Sequence, residues 1–183
     1  MPDMMQKYKQ EVRPALQAKL GCKNVMQIPK LEKIVISTGM KAGVERDTFA
    51  EAQKQIGLIT GQQPVITKAR KNVANFKLRV GMQIGVMVTL RGARMYEFLD
   101  RFVHNAMPRV RDFRGISPKG CDGAGNYNVG IPDIAVFAEI DQDKLKYPLG
   151  MNITMVTTAT NDADAFELLK MLEIPFADQG KKE

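Results

Sequence analysis

The chain has 183 residues, of which 44% are hydrophobic and 26% charged. Those values describe a single ordinary globular domain with a core of its own and exclude a disordered or low-complexity chain. The net charge is +7 and uneven: residues 1–65 carry +4, residues 66–120 carry +9 and residues 121–183 carry −6. A basic middle beside an acidic end points to a polyanionic partner, nucleic acid before membrane. The alternative is a merely solvated basic surface. No run approaches the ~20 apolar residues of a membrane span. The start, MPDMMQKYKQEVRP, lacks the apolar run of a secretory signal, so a cytosolic protein is expected.

The first element is a helix. Met4, Tyr8, Val12, Leu16 and Leu20 recur four apart as one apolar stripe, Pro14 kinks it or starts a new helix, and Gly21 ends it. Pro29 opens a strand over 31–38, rich in β-branched residues. Gly39 and Gly43 bracket a loop. Thr48 and Glu51 form a capping box for a second helix, with Phe49, Ala52, Ile56 and Ile59 as its core face and Gly61 as its stop. Strands follow at 65–70 and 84–90. Between them, 71–83 has no clear periodicity and reads as a flexible basic loop.

The third helix has the clearest pattern. Met95, Phe98, Leu99, Phe102, Val103 and Ala106 share one face, and Pro108 ends it. Residues 109–150 form an irregular, glycine-rich insertion, with short strands at 127–131 and 134–138. A strand at 152–160 alternates, with Ile153, Met155, Thr157 and Ala159 facing one way. Asn161 caps a last helix whose core face is Ala165, Leu168, Leu169 and Leu172, and Pro175 stops it. The terminal QGKKE reads as a frayed tail. The fold class is α+β: an antiparallel sheet with a ferredoxin-like βαββαβ core, helices on one face, and extra N-terminal and C-terminal helices. Residues 1–183 are one domain.

Catalytic patterns are missing. The chain has no G-x-S-x-G, no H-E-x-x-H and no phosphate-binding G-x-x-x-x-G-K-[ST]. Cys22 and Cys121 make no C-x-x-C, and with the single His104 they leave too few ligands for zinc. Glu139, Asp141 and Asp143 read as a solvated acidic turn. An enzyme or a small-molecule sensor on this fold needs a convergent titratable cluster, and the sequence offers none. No cofactor and no small-molecule substrate are expected.

The nucleic-acid reading has more material. VITKARKNVANFKLRVG holds Lys68, Arg70, Lys71, Lys77 and Arg79 without an acid, with Asn72, Asn75 and Phe76 interleaved. Lysine and arginine neutralise phosphates and release counterions. Asparagine can bond base or sugar edges. Phe76 either stacks on an exposed base or packs in the core. Lys68 and Arg70, two apart on a strand, share a face; they either meet phosphate or guard a sheet edge. Arg91 and Arg94 stand where a helix begins, the wrong end for a cation by the helix dipole, which favours an anion contact. Arg109, Arg111 and Arg114, with Lys119, either meet a partner or join an internal ion-pair network with Asp112. The strands GVMVTLRG and NITMVTTAT have none of the aromatics of an RRM. Any RNA on this sheet is held by Thr, Ser, Asn and Arg through backbone and shape.

GQQPVITKARKNVANFKLRVGMQIGVMVTLRG, MPRVRDFRGI and GNYNVGI, with NVMQIPKLEKIVI before them and LLKMLEIPF after, closely resemble the large-subunit ribosomal protein five family in its bacterial form. The resemblance runs over roughly residues 4–176. It implies a non-enzymatic protein of the cytoplasmic ribosome. Such a protein binds 5S rRNA and attaches it to the large rRNA in the central protuberance. By the same resemblance the 71–83 loop reaches toward P-site tRNA, and the irregular region forms an intersubunit bridge with a small-subunit head protein. The contact stretch for rRNA and tRNA is then Lys68, Arg70, Lys71, Asn75, Phe76, Lys77 and Arg79. Ser37, Thr38, Thr89 and Arg91 lie by the 5S face, Arg94 joins the rRNA- or tRNA-binding residues, and Arg109, Arg111 and Arg114 lie toward the bridge. Ser37 and Thr38 stand where bacterial members commonly carry Asn and Met.

Overall fold

A computed structural model describes residues 3–22, 24–41, 46–140 and 149–177. The strands are β1 (Leu31–Gly39), β2 (Val65–Lys68), β3 (Gln83–Leu90), β4 (Tyr127–Ile131) and β5 (Met151–Thr157). They form one sheet in the order β2-β3-β1-β5-β4, with every pairing antiparallel. Set β4 aside and the order is that of the split βαβ: α3 (Arg46–Thr60) links β1 to β2, and α4 (Gly92–Arg101) follows β3 on the way to β5. β4 is the addition that the 109–150 insertion contributes. It lies on the outer edge beyond β5.

Alternation decides which face is covered. Ile34 and Ile36 of β1, Val86, Val88 and Leu90 of β3, and Ile153 and Met155 of β5 are all buried, none more than 3% exposed. They meet Ala52, Ile56 and Ile59 of α3, Phe98 and Leu99 of α4, and Leu168 and Leu169 of α5 (Asp162–Met171) in one core cluster. Phe98, Phe102 and Phe137 stack with ring centroids 6.0–6.4 Å apart, a spacing at which aromatic pairs add to area burial. The intervening residues Val35, Ser37, Met87, Thr89, Asn152 and Thr154 face the other way and are half-buried or exposed. The helices therefore lie on one face and leave the other open.

Several elements differ from the sequence expectation. The N-terminal helix is three pieces: α1 (Asp3–Lys7), a π-helical turn over Tyr8–Val12, and α2 (Arg13–Leu20). Pro14 is the second residue of α2, directly after the π-helical turn, and Gly21 ends that helix at φ +63°. Tyr8 is held in the wider turn by its hydroxyl, which donates to the Pro29 carbonyl at 3.0 Å. α3 begins at Arg46, two residues before the expected cap, so Thr48 lies inside the first turn and Asp47 faces the positive end of the dipole. The expected strand at 134–138 is a 3₁₀ turn over Ile134–Val136, capped by the Asp133 carboxylate on the Ala135 N–H. Three-residue spacing lets Ile134 and Phe137 both be buried, whereas a strand would turn them to opposite faces. Asn161 occupies the cap position of α5 without a side-chain bond. α4 continues through a π-helical turn, Phe102–Ala106, into a 3₁₀ turn, Met107–Arg109, that holds Pro108. The loop around Gly43, the segment 141–148 with Asp141 and Asp143, and the terminal QGKKE lie outside the described residues.

Candidate nucleic-acid interface

The candidate residues fall into three groups. The first is the connection between β2 and β3. β2 ends at Lys68, where a register shift after Thr67 breaks the expected run to residue 70. Arg70 and Lys68 therefore do not share a strand face. Backbone pairing continues past the strand ends, with the Ala69 N–H on Met82 O at 2.8 Å and the Gly81 N–H on Ala69 O at 3.0 Å. Beyond that, Val73 and Leu78 exchange two backbone bonds of 3.0 Å around a 3₁₀ turn, Ala74–Phe76. Lys77 closes the turn in the left-handed conformation, φ 54°. The Asn72 carboxamide accepts the Val80 N–H at 2.8 Å. The connection is thus a small hairpin arm built on the β2–β3 ladder, and Asn72 is one of its structural members. Lys68, Arg70, Lys71, Asn75, Lys77 and Arg79 are all exposed on it. Phe76 is 69% exposed, which rules out core packing as its role.

The second group is at the opposite end of β3. Eight strand residues put about 25 Å between the root of the arm and Arg91. Arg91 is the cap residue of α4 with no side-chain cap bond, and Arg94 lies in the first turn. Both are exposed. Thr89 lies on the open side, one residue inside the end of β3. The third group follows α4 on the opposite edge of the sheet from β2. There Val110 and Phe113 pack toward Val129 and Ile131 of β4. Arg109, Arg111 and Arg114 are exposed on this segment.

Ion pairing separates these groups from the rest of the surface. The described pairs are Lys7–Glu173, Lys19–Glu167, Arg101–Glu139, His104–Asp100 and His104–Glu173. They fasten helices to each other, to the turn after α5 at Glu173 or to the 134–140 segment, except His104–Asp100, which lies within one helical run. Among the described residues, none of the arm cations is paired, nor are Arg91, Arg94, Arg109, Arg111 or Arg114. The internal network with Asp112 does not form. From residue 52 to residue 96 the chain carries eight Lys and Arg and no acid. Arg101, further along α4, is paired: it bonds Glu139 and donates to the Ile59 carbonyl at 2.8 Å.

The open face lies between the first two groups. One row crosses all five strands: Val65, Met87, Ser37, Asn152, Gly130. A second runs Thr89, Val35, Thr154, Asn128. Neither row has an acid or an aromatic. The surface offers hydroxyls and amides, with Thr154 donating to the Asn128 side chain at 2.6 Å. Ser37 belongs to it. Thr38 does not: it is 3% exposed on the helix side and its hydroxyl donates to the Gly150 carbonyl at 2.5 Å. Period two puts neighbours on opposite faces, so only one of the pair could have faced a ligand. The sequence reading also missed Asn152, Thr154 and Asn128, whose place on this face follows from strand register.

No helix among the described residues is long and apolar enough to cross a membrane. The described residues hold no group of three His, Cys, Asp or Glu placed to bind a metal ion. Cys22 and Cys121 are free. Burial pushes the Cys121 thiol up, with the Asp162 and Asp122 carboxylates adding to it, so it is not an activated nucleophile.

Comparison with known proteins agrees with this geometry. A family profile described as "Ribosomal protein L5" matches residues 24–79, and a second, describing the C-terminus of the same ribosomal protein family, matches residues 83–176. The boundary between them falls within the hairpin arm. The "Large ribosomal subunit protein uL5" of Carboxydothermus hydrogenoformans is 52% identical over 178 residues, 97% of this chain and 99% of that protein. That of Alkaliphilus oremlandii is 53% identical over 171 residues, 93% and 96% of the two chains. That of Leptospira biflexa is 50% identical over 182 residues, 99% and 100%. These relatives are named as ribosomal proteins and not as enzymes. With two profiles covering the chain from residue 24 to residue 176 and half of all positions shared over nearly its full length, the chain belongs to the bacterial uL5 family of large-subunit ribosomal proteins.

Proposed function

We propose that the protein is a structural constituent of the large subunit in the cytoplasmic ribosome, that it binds 5S rRNA and attaches it to the large rRNA in the central protuberance. The open sheet face and the cations at its ends make the RNA contacts. The hairpin arm extends to the P-site tRNA, and the Arg109–Arg111–Arg114 edge meets a protein of the small-subunit head. The observation that carries this reading is the set of unpaired cations flanking two acid-free rows of the open sheet face, whose polar groups are hydroxyls and amides. Such a face recognises the shape and backbone of RNA and does not stack on its bases. Unpaired cations are ready to replace counterions on phosphate at no cost in broken ion pairs.

The division of labour is tested by shortening the arm. Replacing residues 71–80 with Asn-Gly restores a two-residue hairpin turn on the existing Ala69–Met82 ladder. The shortened protein is expected to retain 5S rRNA binding through the sheet face, with a shallower salt slope because Lys71, Lys77 and Arg79 are gone, while ribosomes carrying it lose P-site tRNA faster. Loss of 5S binding by a folded short-arm protein would move the primary RNA contact from the sheet to the arm.

A further inference from the structure

Behind the third basic group lies an apolar groove of about 380 Å³, within the size range of ligand pockets. Val110, Phe113 and Ile116 form one wall, Phe102 and Met107 the floor, and Tyr127 to Pro132 of the β4 edge the other wall. Tyr127 is fixed there by its hydroxyl, which donates to the Ser117 carbonyl at 2.6 Å. Gly120 approaches the Asn128 carbonyl so closely that a Cβ would collide with it, which holds the rim segment against β4. The described residues do not seal the groove. Cations outnumber acids beside its lining residues: Lys119 lines the groove itself, the exposed Arg109 and Arg111 flank Val110 and Arg114 follows Phe113, against Asp112 before Phe113 and Asp133 after Pro132. None of the four cations has an ion-pair partner among the described residues.

RNA phosphate satisfies such a rim but leaves an apolar groove unfilled. A protein segment satisfies both. We infer that this groove docks an acidic protein segment through one inserted aromatic or branched aliphatic side chain, with flanking carboxylates on Arg109, Arg111, Arg114 and Lys119. A buried apolar anchor inside a polar rim is the usual arrangement of a binding hot spot, and complementary charge on the rim sets encounter rate and partner choice. The inference rests on the proposed role of this edge as a protein contact and adds the chemistry of the partner.

The test titrates the full chain with three labelled probes: a short peptide of Glu and Asp around a central Leu-Phe pair, the same peptide with Ser-Ser at its centre, and an oligouridylate of equal charge. The expected order is Leu-Phe peptide tightest, by at least about tenfold over the other two. Val110→Glu, which introduces a carboxylate at the groove, should abolish that preference, and Arg109→Ala with Arg114→Ala should weaken the peptide without touching the groove. Thermal melts confirm folding, and the milder Val110→Ser replaces Val110→Glu should that variant melt early. Equal binding of all three probes, or a peptide preference that survives both Val110 substitutions, overturns the inference; so does no binding at all. Binding of 5S rRNA by the wild type and the Val110 variants is measured alongside. A wild type that does not bind 5S rRNA would overturn the RNA reading alone, because the groove assay contains no 5S rRNA.

Discussion

Neutralising the hairpin arm should change the salt dependence of RNA binding by a calculable amount. Five cations, Lys68, Arg70, Lys71, Lys77 and Arg79, are exposed on the arm or its root and are free of carboxylates among the described residues. If each neutralises one duplex phosphate, the arm's share of the slope of log K against log salt is about −4.5. Between ~50 and ~200 mM salt that share alone weakens binding about 500-fold. Lys71→Ala removes one contact, reducing the slope by about 0.9 and the loss to about 150-fold. Arg70→Ala with Lys71→Ala brings the slope to about −2.7 and the loss to about 40-fold. No internal ion pair is broken, so stability should stay within about 0.5 kcal/mol and the melting temperature within about 2 °C for a chain of this size. The assay is filter binding of 5S rRNA, and of assembled subunits, at four salt concentrations. A slope unchanged in both variants, with folded protein, removes these side chains from every RNA contact.

Thr38→Val removes the hydroxyl that donates to the Gly150 carbonyl, which water can still reach, and should cost about 0.5–1.5 kcal/mol while 5S affinity per folded molecule stays the same; Ser37→Asp should do the reverse, weakening 5S binding at least about tenfold through like charge at the centre of the open face. Gly85→Val drives a side chain into the Thr38 carbonyl, which a Cβ at that position already overlaps; separation of β3 from β1 should cost about 1–3 kcal/mol or more in a chemical melt. Phe98→Ala empties the centre of the three-ring stack and should cost about 3–5 kcal/mol. Lys7 bonds the Glu173 carboxylate and, with His104 nearby, holds it below its ordinary value of 4.5. A depressed carboxylate contributes stability above its unfolded pKa and loses it as pH falls through the folded one. The acid limb of the stability curve below that value should therefore be shallower in Glu173→Gln, and an identical limb would show that Lys7 and Glu173 do not fasten α1.

Much of the fold is legible in the sequence because it is periodic. The stripe from Met95 to Ala106 and the alternation of Ile153, Met155 and Thr157 each repeat enough to fix both the element and its buried face. The 134–138 run failed for lack of length: five apolar residues fit a strand or a turn equally, and the Asp133 cap decided for the turn. The arm failed for another reason. Its order comes from one two-bond bridge, one left-handed lysine and one asparagine acceptor, none of which leaves a period in the sequence. Within the site, charge and the absence of acids located the exposed cations, since such side chains need no partner to be found. The sheet's polar rows were missed because they are assembled by register across five strands, and Thr38 was misplaced because composition cannot tell two adjacent hydroxyls apart while the strand pleat does.

A shape-specific RNA surface on the open side of this sheet and a generic basic patch differ in one measurable respect. The two are separated most directly by a competition titration of the purified protein with 5S rRNA against tRNA and a random RNA of equal length, over a salt series reaching ~0.2 M. Shape recognition predicts a 5S preference of orders of magnitude that persists at the highest salt, where the counterion contribution is weakest. Equal and steeply salt-sensitive binding of all three RNAs would contradict it.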